Sequence, residues 1–311
     1  MKVSVVMCAY NVRPYIKTAV ESILKQTYDN WELIISDDCS TDGTREWLRS
    51  LEGHPKIRLF FQEKNIGYVA NKNFAIEQAT GDFITQNDSD DISSELRLEK
   101  QISIVQKYPE IRIVACGYEK IDNDGKVYNT IQSDIEHIIE RPVDVYPFWF
   151  PPLLVHKSIY KEIGLYTSFF MGMGDDLYWT VKANERTPIY CLKEVLYSYR
   201  TNPSSITMVL NNERKLIVPA LLTELINQRK LNKRDWLEEN NLNAIAEFES
   251  SLLKNKRYMG EQYRVWAAKY IDRGNLKQAK PLLKKALRYN PFSKLIYNTL
   301  LYFIRKKLTS T

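Results

Sequence analysis

Gly81-Asp82-Phe83-Ile84-Thr85-Gln86-Asn87-Asp88-Ser89-Asp90 decides how this chain is read. Residues 81–86 read as a short strand that runs into two carboxylates two residues apart. In extended backbone, residues i and i+2 point the same way, so Asp88 and Asp90 converge. A hard cation such as Mg²⁺ or Mn²⁺ takes oxygen ligands, typically one or two carboxylates plus substrate phosphates. That arrangement would hold a nucleotide diphosphate at a strand end. The same residues also suit a turn that caps the next helix. The flanking segments choose between the two.

Upstream, residues 3–9 are a Val-rich strand, and 13–26 carry Ile16, Val20, Ile23 and Leu24 at helical spacing. Strands follow at 31–36 and 56–61, and helices at 42–51 and 67–79. Ser40, Thr41 and Asp42 are cap candidates for the first of those helices. This alternation predicts an α/β fold, a largely parallel sheet with helices on both faces. Ligands of such sheets bind outside the carboxyl ends of the strands. Tyr10-Asn11, Asp37-Asp38 and Asp88-Ser89-Asp90 all lie at those ends.

Downstream, 92–108 reads as a helix and 111–118 as a strand. A turn at Asp122-Asn123-Asp124-Gly125 leads into 126–132. The Pro- and aromatic-rich stretch around Pro147, Pro151 and Pro152 reads as a pocket wall. Short helices follow at 157–164 and 175–184, a final strand at 188–200, and mostly helix from about 210. The helix pair 263–274 and 276–289 has the spacing of one tetratricopeptide unit, and of an ordinary helical hairpin.

Four scattered cysteines without a CxxC pair indicate neither a zinc site nor a disulfide framework, and fit a reducing cytoplasm. The first apolar run is too short for a signal segment, and none approaches the roughly 18 residues of a membrane span. Residues 251–311 hold 15 Lys or Arg against Glu261 and Asp272, while the whole chain is only +6. The first 250 residues are therefore acidic, and a basic tail predicts an anionic surface as partner.

Several blocks together resemble the family 2 glycosyltransferases, which have a GT-A fold. They are Val3-Ser4-Val5-Val6-Met7-Cys8-Ala9-Tyr10-Asn11, Ser22-Ile23-Leu24-Lys25-Gln26-Thr27, Asp37-Asp38-Cys39-Ser40-Thr41-Asp42-Gly43-Thr44, Asn65-Ile66-Gly67, and Gly81-Asp82-Phe83-Ile84 leading to Asp88-Ser89-Asp90-Asp91. The resemblance covers about residues 1–210 and implies a catalytic domain there, with a basic helical region over 211–311. Cys8 stands where the family often has Pro, Cys39 where Gly is usual, and Asn87 where an apolar residue is common. No Gln-x-x-Arg-Trp motif of the processive members occurs, which favours transfer of a single sugar.

The resemblance implies the site residues. Ala9, Tyr10, Asn11 and Asp38 hold base and ribose, and Lys72 lies at the family's basic position near the nucleotide. Asp88 and Ser89 contact the donor, and Asp90, with Asp88, binds Mn²⁺ or Mg²⁺. Asp176 is the catalytic base, with Asp175 as its alternate. Arg200, with Ser205 and Thr207 beyond it, closes over the diphosphate. Each has a plainer reading. Asp38 and Ser40 shape a turn, Lys72 sits on a solvated helix face, and Asp175 and Asp176 favour a helix N-terminus. Arg200 ends a strand in a surface ion pair. His156 reads as structural or acceptor-side.

The expectation is thus an inverting, metal-dependent transferase. It would move a sugar from a nucleotide donor, UDP-linked, to a hydroxyl of a surface-polysaccharide or lipid-linked glycan. Its location would be cytoplasmic and peripheral on the inner face of the plasma membrane, with Leu295, Ile296, Leu300, Phe303 and Ile304 as an interfacial face. A packed terminal helix or dimer contact competes for that face. A non-catalytic scaffold and a sugar nucleotidyltransferase are the other classes. No nucleic-acid motif is present.

Overall fold

The structure is a computed structural model that describes residues 1–143, 146, 152–202 and 209–309. The chain divides into two compact units, Met1–Asn202 and Pro203–Thr311, where the sequence reading put the change near 210.

In the first unit, β1 (Val3–Ala9) and β2 (Trp31–Asp37) are buried almost throughout. That explains their mostly apolar character, since strands covered on both faces need no regular polar alternation. They pair in parallel with each other, β2 with β3 (Ile57–Phe61), and β1 with β4 (Phe83–Gln86). Crossover helices α1 (Ile16–Leu24), α2 (Thr44–Arg49) and α3 (Tyr68–Glu77) connect them. Helix α1 buries Ile16, Ala19, Val20 and Ile23, a stripe at helical spacing.

Beyond β4 the order departs from a simple alternation. Ile92–Ser93 is a short strand, β5, not the start of the expected helix, which is α4 (Arg97–Lys107). Strand β6 (Ile113–Ile121) forms a hairpin with β7 (Val127–Ile131). Two further strands have no counterpart in the sequence expectations, β8 (His137–Ile139) and β9 (Leu154–His156). Each has three residues, too few for a periodic pattern. Helices α5 (Lys157–Ile163) and α6 (Asp175–Asn184) precede the long β10 (Ile189–Arg200). The sheet order is β3-β2-β1-β4-β9-β6-β10-β5, with β7 on β6 and β8 on β10. Strand β9 is antiparallel to both β4 and β6, so β6 and β10 run the same way as β1 to β4. The carboxyl ends of the long strands therefore share one edge, as the α/β expectation required.

A buried carboxylate locks the opposite edge. Glu32 is 5% exposed. It accepts hydrogen bonds from Ser4 Oγ (2.6 Å), Thr80 N (2.9 Å) and Thr80 Oγ1 (2.7 Å), with Lys2 and Arg58 at 3.2 and 3.4 Å. Ser4 Oγ in turn accepts from Gly81 N. A Cβ on Gly81 would lie 2.7 Å from Lys2 O and Ser4 N, so only glycine fits there. Burial alone would raise the Glu32 carboxyl, but the Ser4 and Thr80 hydrogen bonds outweigh it and pull it from 4.5 down to about 2. A pKa lower in the folded than the unfolded state stabilises fully above the unfolded value and is lost as pH falls through the folded one. Glu32→Gln should therefore cost about 2 kcal/mol at pH 7, and the gap to wild type should shrink between pH 4.5 and 2 in urea unfolding. A gap independent of pH would contradict this.

The second unit contains α7 (Val218–Asn232), α8 (Leu242–Lys254), α9 (Lys256–Asp272), α10 (Leu276–Tyr289) and α11 (Lys294–Thr309). The expected helix pair is α9–α10. Trp266, Ala267, Tyr270 and Ile271 are buried on one helix, and Ala279, Leu283 and Ala286 on the other. Helices α8 and α11 both pack on α9, supplying neighbours that a lone repeat lacks. On α11 the apolar face differs from the one expected. Ile296 is fully buried, and Leu300 and Phe303 are half-buried, so that side packs inward. Of the expected set only Leu295 and Ile304 are exposed, and Tyr297 and Leu301, which were not in it, are exposed too. No described helix is long and apolar enough to cross a membrane.

Candidate active site

The loops after β1, β2 and β4 interlock through local hydrogen bonds. Asn11 takes a left-handed φ of 51°, which Asn tolerates better than most residues. Its N–H donates to Ser40 Oγ (2.9 Å), and its Oδ1 accepts from Thr41 N (2.8 Å). Ala9 is buried and its carbonyl accepts from Asp38 N (2.8 Å), while Tyr10 is half exposed. Asp38 is buried, and its two oxygens accept from the backbone of Ile66 (2.7 Å) and Gly67 (2.9 Å). The donor that a buried Asp requires is thus already supplied by the chain, and the Asn65-Ile66-Gly67 block is held against β2 by it.

Cys39 also has a left-handed φ, 66°. This explains why glycine suits the position: an L side chain costs roughly 1–2 kcal/mol there. Part of that is offset by the greater freedom of glycine in the unfolded chain. Cys39→Gly should therefore stabilise the protein by about 0.5–1 kcal/mol, read as a higher Tm. A lower Tm would show that the Sγ contact to Glu63 O (3.7 Å) outweighs the backbone term.

The aspartate loop is braced from several sides. Asn87 is buried, where the family pattern has an apolar residue; its Oδ1 accepts from Ser93 Oγ and its Nδ2 donates to Asp88 O. Asp88 N donates to Tyr197 Oη (3.1 Å), whose hydroxyl donates to Asp91 Oδ2 (2.8 Å). Asp91 is fully buried and its Oδ1 accepts from Arg200 N (2.7 Å). Asp91 has no assigned role in the sequence pattern, and Tyr197, a strand residue 109 positions from Asp88, carries no local signal that links it to this loop. Ser89 is buried, and Asp90 Oδ2 accepts from Asn202 Nδ2 (3.3 Å).

Arg200 is not on the surface, and among the described residues its guanidinium forms no ion pair. It is 5% exposed. Its Nε donates to Asp90 O, and its Nη1 to Asp122 O and Asn123 O, each at 2.8 Å. Its guanidinium lies 5.0 Å from the ring of Tyr15. It ties the aspartate loop to the β6–β7 turn. Ser205 and Thr207 lie outside the described residues. His156 caps α5 by accepting from Ser158 N and packs edge-on against Phe83, a structural role.

The most telling contact joins α3 to α6. Lys72 is 1% exposed, which excludes a solvated helix face, and its Nζ meets Asp176 Oδ1 at 2.5 Å. The rings of Tyr68 and Tyr166 flank the ammonium at 4.9 and 3.8 Å, a cation–π cage. Tyr68 also donates to Asp88 Oδ1 (3.3 Å). Asp176 stays 24% exposed, while Asp175 is 2% exposed and its Oδ1 has no hydrogen-bond partner among the described residues. Burial, together with the Asp176 charge, pushes Asp175 up to about 6. Burial, then the charges of Asp90 and Asp176, push Asp88 up to about 7. Lys72, Asp88, Asp90 and Asp176 therefore share one electrostatic neighbourhood, in which negative charge exceeds positive.

Among the described residues, no group of three or more His, Cys, Asp or Glu side chains is arranged to hold a metal alone. Asp88 and Asp90 still fit a divalent cation that shares its ligands with a diphosphate, because the surplus negative charge around Asp88 is what such an ion neutralises.

Comparison with known proteins agrees with this geometry. The family model described as glycosyl transferase family 2 matches residues 4–179. EpsE of Bacillus subtilis (strain 168), named as a glycosyltransferase, is 33% identical over 205 residues, 64% of this chain and 73% of EpsE. The UDP-Glc:alpha-D-GlcNAc-diphosphoundecaprenol beta-1,3-glucosyltransferase WfgD of Escherichia coli is 36% identical over 174 residues, 51% of this chain and 66% of WfgD. The crystal structure of S. aureus TarS 1-349 in complex with UDP-GlcNAc superposes with a TM-score of 0.63 at 18% identity, covering 98% of this chain and 89% of that one. The fold likeness, the family match over more than half the chain and the relatives together make this chain a glycosyltransferase belonging to glycosyl transferase family 2.

Proposed function

We propose that the chain transfers one sugar from a UDP-linked donor to a hydroxyl of a surface-polysaccharide or lipid-linked glycan, with inversion at the anomeric carbon. The observation that carries this reading is the buried Lys72–Asp176 pair beside Asp88 and Asp90, at the carboxyl ends of β1, β2 and β4. A fully buried cation and a surplus of carboxylates at the strand ends suit a diphosphate donor and a proton acceptor. The donor class is supported by TarS, solved with UDP and with UDP-GlcNAc, and by the UDP-Glc in the name of WfgD. The same name supports a lipid-linked acceptor, which would set the work at the inner face of the plasma membrane.

In this reading the base and ribose lie against Ala9, Tyr10 and Asn11, with Tyr10 free to pack on the base. Asp38 shapes that wall by fixing Ile66 and Gly67. Asp88, Ser89 and Asp90 line the diphosphate, and Mn²⁺ or Mg²⁺ held there by Asp90 and Asp88 would offset charge on the leaving group. Arg200 keeps the Asp90 loop in place beside the phosphates. Asp176, open on one side, accepts the acceptor hydroxyl proton as the oxygen attacks the anomeric carbon through an oxocarbenium-like state. A base on the face opposite the leaving group gives inversion.

Calorimetric titration of UDP with Mn²⁺, then with EDTA, tests the donor site. Micromolar binding that EDTA abolishes is expected, followed by transfer when UDP-Glc and UDP-GlcNAc are offered. No binding of UDP, GDP, CDP or TDP in either condition would refute the reading and favour a non-catalytic scaffold.

A further inference from the structure

The second unit concentrates its charge where it also exposes apolar side chains. Residues 251–311 hold 15 Lys or Arg against two carboxylates, and those two are engaged inside the unit. Glu261 pairs with Arg264, and Asp272 accepts from Tyr302 Oη. A cleft of about 570 Å³ opens between the start of α9 and the α10–α11 turn, lined by Lys256, Arg257, Phe292, Lys294 and Leu295 among others. All three of these cations are exposed, and no described carboxylate lies within ion-pair distance of any of them.

Phe292 at the rim is 95% exposed and Leu295 is 55% exposed. On the outer face of α11, Tyr297, Leu301 and Ile304 are exposed at 48%, 56% and 46%. Their spacing of i, i+4, i+7 makes one stripe, and Lys294 lies on the same side. A phenylalanine almost wholly in water beside uncompensated cations matches an apolar phase edged by negative charge.

We propose that the α10–α11 turn and the outer face of α11 form a docking surface for an anionic lipid bilayer. Phe292 and Leu295 enter the boundary between headgroups and acyl chains, and α11 lies along it. Lys256, Arg257 and Lys294 hold headgroup phosphates in the cleft. Two other partners fit less well. A second copy of this face would bring like charges together, and a hydrated nucleic-acid backbone gives Leu295, Leu301 and Ile304 nothing apolar to cover. The inference concerns the second unit alone and does not depend on the catalytic reading.

Co-sedimentation of the whole protein with extruded vesicles tests it. Equimolar phosphatidylglycerol and phosphatidylcholine should bind the protein at low salt, at least about tenfold better than phosphatidylcholine alone, and binding should weaken near 1 M salt. Joint Lys256→Glu, Arg257→Glu and Lys294→Glu changes should cut the partition about 100-fold or more. Phe292→Ser should cut it about tenfold. Both variants alter exposed side chains, and circular dichroism should match the wild type. Equal binding to neutral vesicles, no binding to either, or wild-type binding by either variant would overturn the proposal. So would vesicle indifference combined with retention on an oligonucleotide or self-association lost in the triple variant.

Discussion

Asp176→Asn should lower the rate of sugar transfer by about 10²–10⁴-fold while leaving UDP affinity within a few-fold of wild type. The substitution keeps size and shape, and an amide oxygen still accepts from Lys72 Nζ, which meets Asp176 in the native site. What it removes is the ability to take a proton. The contrast with Asp175→Asn is the control. Asp175 is 2% exposed, and burial with the Asp176 charge pushes its carboxyl up to about 6. It is well shielded from an incoming hydroxyl, so Asp175→Asn should cost less than about tenfold, consistent with a group that never moves the proton. Single-turnover transfer from UDP-sugar, alongside calorimetric UDP affinity, measures both. If Asp175→Asn carried the larger loss, and the wild-type rate fell as pH dropped through about 6, the roles would be reversed.

Much of the first unit was legible because its information is local. The apolar runs of β1 and β2 and the helical spacing of α1 are each complete within one segment, and α6 occupies the expected 175–184. The failures mark places where distant partners decide. Ile92 and Ser93 fit the helical spacing of the segment that follows, yet they pair with Ser198 and Tyr197 of β10. Strand β9 exists because β4 and β6 flank it, which no three-residue pattern announces. The site shows the same division. That Asp38, Asp88 and Asp90 lie at strand ends followed from the alternation. That Lys72 meets Asp176, 104 residues away, did not, because a lysine on a helix reads as a solvated face unless its partner is known. Arg200 misled for a related reason. A guanidinium suggests phosphate or carboxylate, whereas its partners are backbone carbonyls, which every sequence has everywhere. On α11, apolar residues occur around most of the helix, so spacing alone did not reveal that Ile296 packs inward.

Asp88→Asn combined with Asp90→Asn should weaken UDP binding in Mn²⁺ by about 100-fold or more, while leaving the residual affinity in EDTA unchanged. Two carboxylates are a typical protein share of such a site, and neutral amides are poor replacements for them. The same variant should have a second, opposite effect. Burial and the nearby Asp90 and Asp176 charges raise the Asp88 carboxyl from 3.8 to about 7. An acid whose pKa is higher folded than unfolded binds more protons when folded, so it opposes folding increasingly from pH 3.8 upward and fully above about 7. In EDTA at pH 8 the double variant should therefore be more stable than wild type, by about 2 kcal/mol, and the gain should fade toward pH 4. A purely structural pair of aspartates would show the reverse, since replacing either would lower Tm. Stability gained where ligand affinity is lost is the expected mark of charge kept at a site for binding rather than for folding. Thermal unfolding across pH, alongside UDP titration with Mn²⁺ and with EDTA, reads both effects from one variant.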